Sequence, residues 1–173
     1  MDILEDLVGF NRRLCVELWR LLDGGSRTTA PRLIFPKYRS GELRISEQEA
    51  RVLYCAIVDE QSRYTYSLET PTEEAYRFAG GNPDGRTESA RSDMSLYDGG
   101  TKVVNIELKA LNVPPDQIAK DIEKLVREKV VGNWFHVLKS MDGGTLATLF
   151  AKFRSSASLI DHSPSSSVTF SFC

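Results

Sequence analysis

The chain has 173 residues, of which 41% are hydrophobic and 27% are charged, and its formal net charge is −2. This is ordinary globular composition, and the length suffices for one domain, residues 1–173, with a sizeable core. The apolar stretches fall short of the roughly 18 residues that span a bilayer. We therefore expect no membrane partner.

The cysteine and histidine patterns argue against a disulfide framework and a zinc site. Cys15, Cys55 and Cys173 form an odd set without Cys-x-x-Cys spacing, which favours a reduced, cytoplasmic setting. His136 and His162 are too isolated to predict zinc ligation. The start of the chain is acidic, which is untypical of a secretion signal. A net charge near zero neither requires nor excludes nucleic acid, which would need a local basic patch.

The first 45 residues are predicted to form a helix and a connector. Apolar residues recur with helical spacing over 2–23, and Gly24-Gly25 ends this pattern. Residues 26–45 are basic, contain prolines and include two aromatic side chains. This connector is either a solvated loop or a basic rim that tracks a nucleic-acid strand.

A second helix is predicted to begin at Ser46, because Glu49 three residues later completes a capping-box pattern. Residues 63–69 are rich in tyrosine and threonine, as is typical of a strand. The polar stretch 70–90 predicts mostly loop, with a short helical turn over 73–76.

The rest of the chain predicts strands and helices in alternation. The expected elements are strands at 91–97 and 102–110, a helix at 115–130, a strand at 134–138, a helix at 146–153 and a strand at 168–172. The order α-α-β-β-β-α-β-α-β predicts an α/β domain with helices flanking a central mixed sheet.

The pairing of the strands at 91–97 and 102–110 follows from their apolar alternation. Side chains that share a face recur every second residue. Met94 can lie on the same face as Ile106 only if even positions pair with even positions. That parity favours a three-residue loop at 99–101, with Asp98 opposite Lys102.

The same register brings charged side chains together. Asp93 falls opposite Glu107, with Cβ atoms roughly 5 Å apart, and Lys109 shares their face. Two carboxylates at this separation repel unless a proton or cation lies between them. A hard divalent cation such as Mg²⁺ fits, with the Leu108 carbonyl as a further ligand and water in the other positions.

This set of side chains suits phosphodiester hydrolysis. A bound Mg²⁺ acidifies its water and polarises a phosphoryl oxygen. Lys109 could orient or activate the attacking water, or offset charge that develops on phosphate. Acyl transfer is less suitable, because no Ser-His-acid set is evident.

Asp93 followed by Glu107-Leu108-Lys109 across a hairpin resembles the PD-(D/E)xK nuclease superfamily, with Ser92 in place of the proline. The resemblance implies a restriction-endonuclease-like fold, whose α-β-β-β-α-β catalytic core covers 46–140. The helix and connector at 1–45 are then an N-terminal addition, and 141–173 adds a C-terminal helix and strand.

The resemblance also implies a function. Asp93 and Glu107 are expected to bind Mg²⁺, with Mn²⁺ as a substitute, and Lys109 is expected to assist the nucleophile. The implied partner is nucleic acid, with DNA favoured. Many members of this superfamily act as dimers or beside partner domains, so the resemblance also implies a homodimer or a partner protein.

The family adds residues from the two neighbouring helices. An acid on the preceding helix is matched by Glu47, which we prefer, or by Glu49, which has an alternative capping role with Ser46. A glutamine on the following helix is matched by Gln117. Asp121 stands where the exonuclease branch has a tyrosine, so that branch is not matched.

Two other classes of protein remain open. One is a catalytically silent nuclease-fold module that binds nucleic acid or protein. The other is a regulatory or protein-interaction domain in which Glu107 and Lys109 are merely exposed. Lys120 and Lys124 are expected to face solvent, and His136 is expected at the edge of the core.

Overall fold

A computed structural model describes residues 2–22, 33–61, 63–76, 87–157 and 167–173. Its elements, in chain order, are α1 (Ile3–Leu22), α2 (Glu47–Gln61), β1 (Tyr64–Tyr76), β2 (Glu88–Asp98), β3 (Thr101–Ala110), α3 (Pro115–Arg127), β4 (Val131–Val137), α4 (Gly143–Ala157) and β5 (Val168–Phe172). This confirms the predicted order of helices and strands. The predicted helix stop at Gly24-Gly25, residues 26–32 of the basic connector, residues 77–86 of the predicted loop, and His162 lie outside the described residues.

The strands form one five-stranded sheet in the order β1-β2-β3-β4-β5. β1, β2 and β3 are antiparallel, whereas β3, β4 and β5 run parallel. The predicted α/β class with a mixed sheet is therefore confirmed. None of the helices in the described ranges is both long and apolar enough to cross a membrane.

The sheet carries a separate apolar cluster on each face. Met94, Ile106 and Leu108 pack with α1 and α2 in the larger cluster. Trp134 packs with Ile118 and other residues of α3 on the opposite face. Both faces of β3 are thus covered, so the odd-numbered side chains of this strand point toward α3 and not into open solvent.

The predicted β2–β3 register is confirmed from Met94 to Leu96, but it is wrong next to the turn, where Asp98 lies opposite Thr101 and not Lys102. Met94 lies opposite Ile106. The turn contains only Gly99 and Gly100, whose φ angles of 56° and 83° suit the left-handed backbone of a two-residue hairpin turn. A bulge at Val103 supplies the extra residue that restores even-with-even pairing.

β1 is longer than predicted, because residues 70–76 are strand and not a loop with a helical turn. The reason is a tertiary contact from the end of α3. The buried Glu128 carboxylate accepts the backbone N–H groups of Glu73 and Glu74, each at 3.1 Å, and the Tyr76 hydroxyl at 3.0 Å. Burial raises the pKa of Glu128, but these hydrogen bonds outweigh it and lower the pKa.

α1 is part of the core, held to the sheet by a buried amide pair. Asn11 donates to Asn133 over 2.8 Å, and Asn133 donates back over 3.1 Å and to the Tyr54 hydroxyl over 3.3 Å. Since the buried amides satisfy each other, they fix the position of α1 without leaving unpaired polar groups.

Two glycine-to-alanine substitutions should change stability in opposite directions. A Cβ at Gly132 would lie 3.0 Å from both Leu125 Cβ and Val168 Cγ2. We expect Gly132→Ala to lower the free energy of unfolding by about 1–3 kcal/mol. A Cβ at Gly9 on α1 would meet no described atom within 4 Å, so Gly9→Ala should raise stability by up to about 1 kcal/mol. Urea denaturation tests both, and equal effects would contradict this packing.

Candidate functional site

The predicted site residues come from four elements, of which β3 contacts the other three. Asp93 lies on β2, Glu107 and Lys109 on β3, Glu47 begins α2, and Gln117 lies in the first turn of α3. Glu47, Lys109 and Gln117 line one cavity of about 250 Å³. Asp93 and Glu107 do not line this cavity, but Lys109 follows Glu107 by two residues on β3 and Asp93 accepts the N–H of Leu108 between them.

Asp93 is held by two strong donors. Its Oδ2 accepts the backbone N–H of Leu108 at 2.8 Å, across the hairpin. Its Oδ1 accepts a guanidinium N–H of Arg51 at 2.7 Å, and Arg51 also binds Glu69 at 2.7 Å. Because charge-assisted hydrogen bonds are directional, they fix the Asp93 carboxylate beside the Glu107–Leu108 segment.

Glu107 is buried under α3, with 1% of its surface exposed. The Lys124 ammonium lies 2.7 Å from its Oε1. Burial raises the pKa of Glu107 well above its usual value, and the Lys124 charge offsets this only in part. The Asp121 and Asp93 carboxylates raise the pKa further. Glu107 therefore holds a proton more tightly than an exposed glutamate does.

Lys109 and Lys124 share Asp121 as a counter-ion. The distances to the Asp121 carboxylate are 2.9 Å from Lys109 Nζ and 2.8 Å from Lys124 Nζ. Burial acts to lower the pKa of each lysine, but nearby carboxylates outweigh it and raise both. Glu107, Lys124, Asp121 and Lys109 thus form a chain of alternating charges between β3 and α3, which we call the α3 ion chain.

Glu47, not Glu49, lies near Lys109 and Asp93. The Ser46 hydroxyl donates to the Glu49 carboxylate, and Arg44 lies 3.8 Å from it, so Glu49 takes the capping-side position. Burial raises the pKa of Glu47, while Lys109 lowers it and Asp93 raises it. These interactions place Glu47 within electrostatic reach of the predicted site.

Three charged residues that contact the predicted site residues were not predicted. Lys124 was expected to face solvent, but it is buried, with 5% of its surface exposed. Asp121 and Arg51 were given no role. Helical spacing offered one signal, since Gln117, Asp121 and Lys124 lie on one flank of the apolar stripe of α3. Nothing in the sequence alone shows that β3 covers that flank.

The donor chemistry suits a hard divalent cation, although the carboxylates already have partners. Asp93, Glu107, Glu47 and Asp121 supply four carboxylates against the cations of Arg51, Lys109 and Lys124. An excess of oxygen ligands is what Mg²⁺ prefers. In the described residues, however, no three His, Cys, Asp or Glu side chains are grouped to hold a metal ion. The Mg²⁺ site remains a prediction, in which metal competes with Arg51 and Lys124.

Comparisons with protein-family models, with curated proteins and with solved structures find no match to this chain.

Removal of Lys124 should be strongly destabilising. We expect Lys124→Met to lower the free energy of unfolding by about 3–5 kcal/mol, because Glu107 and Asp121 lose a buried cation. Burial raises the pKa of Glu107 above its value of 4.5 in the unfolded chain, so the folded state binds this proton more tightly and stability falls as the pH rises. Without the Lys124 charge, which lowers the pKa of Glu107, this dependence becomes stronger. The loss should thus be larger at about pH 8 than at about pH 5.

Urea denaturation at both pH values measures this effect, with Lys129→Met, at an exposed position after α3, as the matched control. That control should change stability by no more than about 0.5 kcal/mol. The double variant Lys124→Met/Glu107→Gln should regain part of the loss. Equal effects of Lys124→Met and Lys129→Met would rule out the α3 ion chain as a stabilising feature.

Proposed function

We propose that this protein is a metal-dependent nuclease that hydrolyses phosphodiester bonds, with DNA as the favoured substrate. The observation that supports the proposal is the position of the Asp93 carboxylate, which accepts the N–H of Leu108, the residue between Glu107 and Lys109, while Glu47 shares a cavity with Lys109. Three independent elements converge there, which a chance Glu-x-Lys triplet would not require.

The topology supports the same proposal. The run α2-β1-β2-β3-α3-β4, with antiparallel β1 to β3 and a parallel β4, is similar to a restriction-endonuclease-like core. On this interpretation, α1, α4 and β5 are additions to that core. A homodimer or a partner protein belongs to the same proposal, since nucleases of this fold often act in pairs.

Each side chain has a defined role in the proposed reaction. Asp93, Glu107, the Leu108 carbonyl and Glu47 would hold Mg²⁺ or Mn²⁺, which polarises a phosphoryl oxygen and acidifies water. Nearby carboxylates raise the pKa of Lys109, so it stays a cation and would offset charge on the phosphate instead of accepting a proton.

The two helix residues complete the site. Glu47 begins α2 and lines the same cavity as Lys109, where its carboxylate would complete the metal ligands. Gln117 is exposed at the start of α3 and lines the same cavity as Lys109, where its amide could donate to a phosphate oxygen.

One observation favours the catalytically silent alternative. Arg51 and Lys124 already neutralise Asp93 and Glu107, at 2.7 Å each. A nuclease-fold module that only binds nucleic acid or protein would need no metal. Arg51 and Lys124 would then take the place of the metal ion. Cleavage and metal binding distinguish the two functions.

Cleavage should require the hairpin residues. We expect cutting of at least one of supercoiled, linear or single-stranded DNA, or RNA, with Mg²⁺ or Mn²⁺. Asp93→Asn, Glu107→Gln and Lys109→Met should each slow it by at least about 100-fold, because the first two remove a metal ligand and the third removes the cation that offsets charge on the phosphate. Gel assays with purified protein measure the rates.

Lys129→Met is the control for charge removal, since Lys129 is exposed outside the cluster. It should cut at the parental rate. Absence of cleavage on all four substrates, or parental rates for Lys109→Met, would leave the silent module as the better function.

Metal binding should stabilise the fold. At free Mn²⁺ of about 100 times its Kd, the free energy of unfolding should rise by about 2.7 kcal/mol, because only the folded state assembles the ligands. Asp93→Asn should lose most of this increase, whereas Asp116→Asn, at an exposed acid on α3, should keep it. Denaturation with and without Mn²⁺ measures the difference, and an unchanged parental stability would argue against the site.

A further inference from the structure

A cavity of about 660 Å³ opens beyond the carboxyl ends of the parallel strands β3 and β4. Its walls are the segment that follows β3, the segment that follows β4, and the first turns of α4. In open α/β sheets, ligands bind outside the carboxyl ends of the strands. The volume is also in the range of about 300–1,000 Å³ that small-molecule sites occupy.

A strained residue shapes one wall of this cavity. Leu111, directly after β3, has a φ of 60°, a left-handed conformation that is uncommon for leucine. Two hydrogen bonds hold it: its N–H donates to Val137 O at 2.7 Å, and its carbonyl accepts from buried His136 Nε2 at 2.7 Å. Backbone strain of this kind persists at ligand sites because the surroundings enforce it.

The cavity lies next to the candidate catalytic site. Asn112 and Val113 line both this cavity and the smaller one that contains Glu47 and Lys109. Leu111 follows Lys109 by two residues, which is at most about 7 Å of extended chain. Lys109 also lines a third cavity, of about 480 Å³, which includes the cationic side chains Arg91, Lys120 and Lys124. The three cavities are therefore neighbours that share lining residues, with aliphatic walls in the first and cationic side chains in the third.

The lining of the 660 Å³ cavity combines aliphatic walls with polar groups. The walls come from Leu111, Val113, Leu138 and Leu149, and the polar groups from Asn112, Thr145 and Thr148. Flipped nucleobases are held in this way, between apolar side chains and hydrogen-bonding groups at the base edge. A purely anionic ligand would find fewer partners on such aliphatic walls.

The charges around this cavity favour a nucleotide over a neutral apolar ligand. Lys139 and Lys152 line it, and Lys152 donates to Val113 O at 3.0 Å, which holds the shared wall in place. Asp142 is the one acidic side chain among the lining residues, and its carboxylate is occupied at the start of α4 by Ser140 and by the Thr145 N–H at 2.8 Å.

We propose that this cavity receives an unpaired nucleobase of the strand whose phosphate lies beside Lys109, so that the substrate is single-stranded or locally unpaired nucleic acid. The position of the phosphate rests on the nuclease proposal above. A base within a duplex can enter only after it leaves the stack, which carries an energetic penalty that a single strand largely avoids.

The test uses the full chain, first in EDTA and then with Ca²⁺, and DNA strands of about twelve nucleotides that carry 2-aminopurine at each position in turn. The same sequences are measured as duplexes. Anisotropy should show single strands bound at least about tenfold more tightly. Emission of 2-aminopurine should rise at least about twofold on binding, because a base in the cavity is unstacked.

A matched pair of variants locates the base. Thr148→Met fills the cavity from an exposed position of α4, whereas Ala147→Met adds similar bulk to the adjacent exposed position, which does not line the cavity. Thr148→Met should weaken single-strand binding about fivefold and abolish the emission rise. Ala147→Met should leave both unchanged.

Equal affinity for single strands and duplexes, no binding of either DNA, or an emission rise that persists in Thr148→Met would overturn the proposal. The two proposals fail separately. An emission rise in a protein that cuts nothing overturns only the nuclease. Cleavage of duplexes as fast as single strands, without any emission change, overturns only the base-binding cavity.

Discussion

The α3 ion chain is the interaction on which the candidate site depends. Asp121 lies between Lys109 and Lys124, at 2.9 and 2.8 Å, and Lys124 reaches Glu107 at 2.7 Å. Removing these charges from water is expensive, and the penalty is offset only if every member has a partner. The α3 ion chain therefore holds α3 over β3 in one position. That position buries Glu107 and forms the two adjacent cavities that Lys109 and Gln117 line.

Ligand binding at this site depends on whether the carboxylates of Glu107 and Glu47 are protonated. Burial raises the pKa of Glu107 and of Glu47, whereas neighbouring carboxylates keep Lys109 and Lys124 charged. A divalent cation that bound Glu107 would displace Lys124 and release a proton, so its affinity would increase with pH. Phosphate, in contrast, would meet a lysine that is already charged. A cation at this site would thus compete with Lys124, whereas a phosphate would pair with Lys109.

Much of the framework could be predicted from local patterns. Apolar alternation predicted that Met94 and Ile106 share a face, and helical spacing located α2 and α3. The loop length could not be predicted, because a bulge at Val103 and a two-residue turn produce the same parity as a three-residue loop. The extension of β1 was missed because its support comes from Glu128, more than fifty residues away.

What the sequence by itself determined is the order of the elements and the choice of side chains on the Asp93–Glu107–Lys109 face, because those depend on periodicities of two and 3.6 residues. Only the tertiary structure decided that this face is covered. α3 packs over it, with Ile118 in one apolar cluster with Trp134 of β4, and this packing makes Lys124 the buried partner of Glu107 and not a surface cation. Burial and ion pairing depend on which elements meet in space, and no local pattern within one element encodes that.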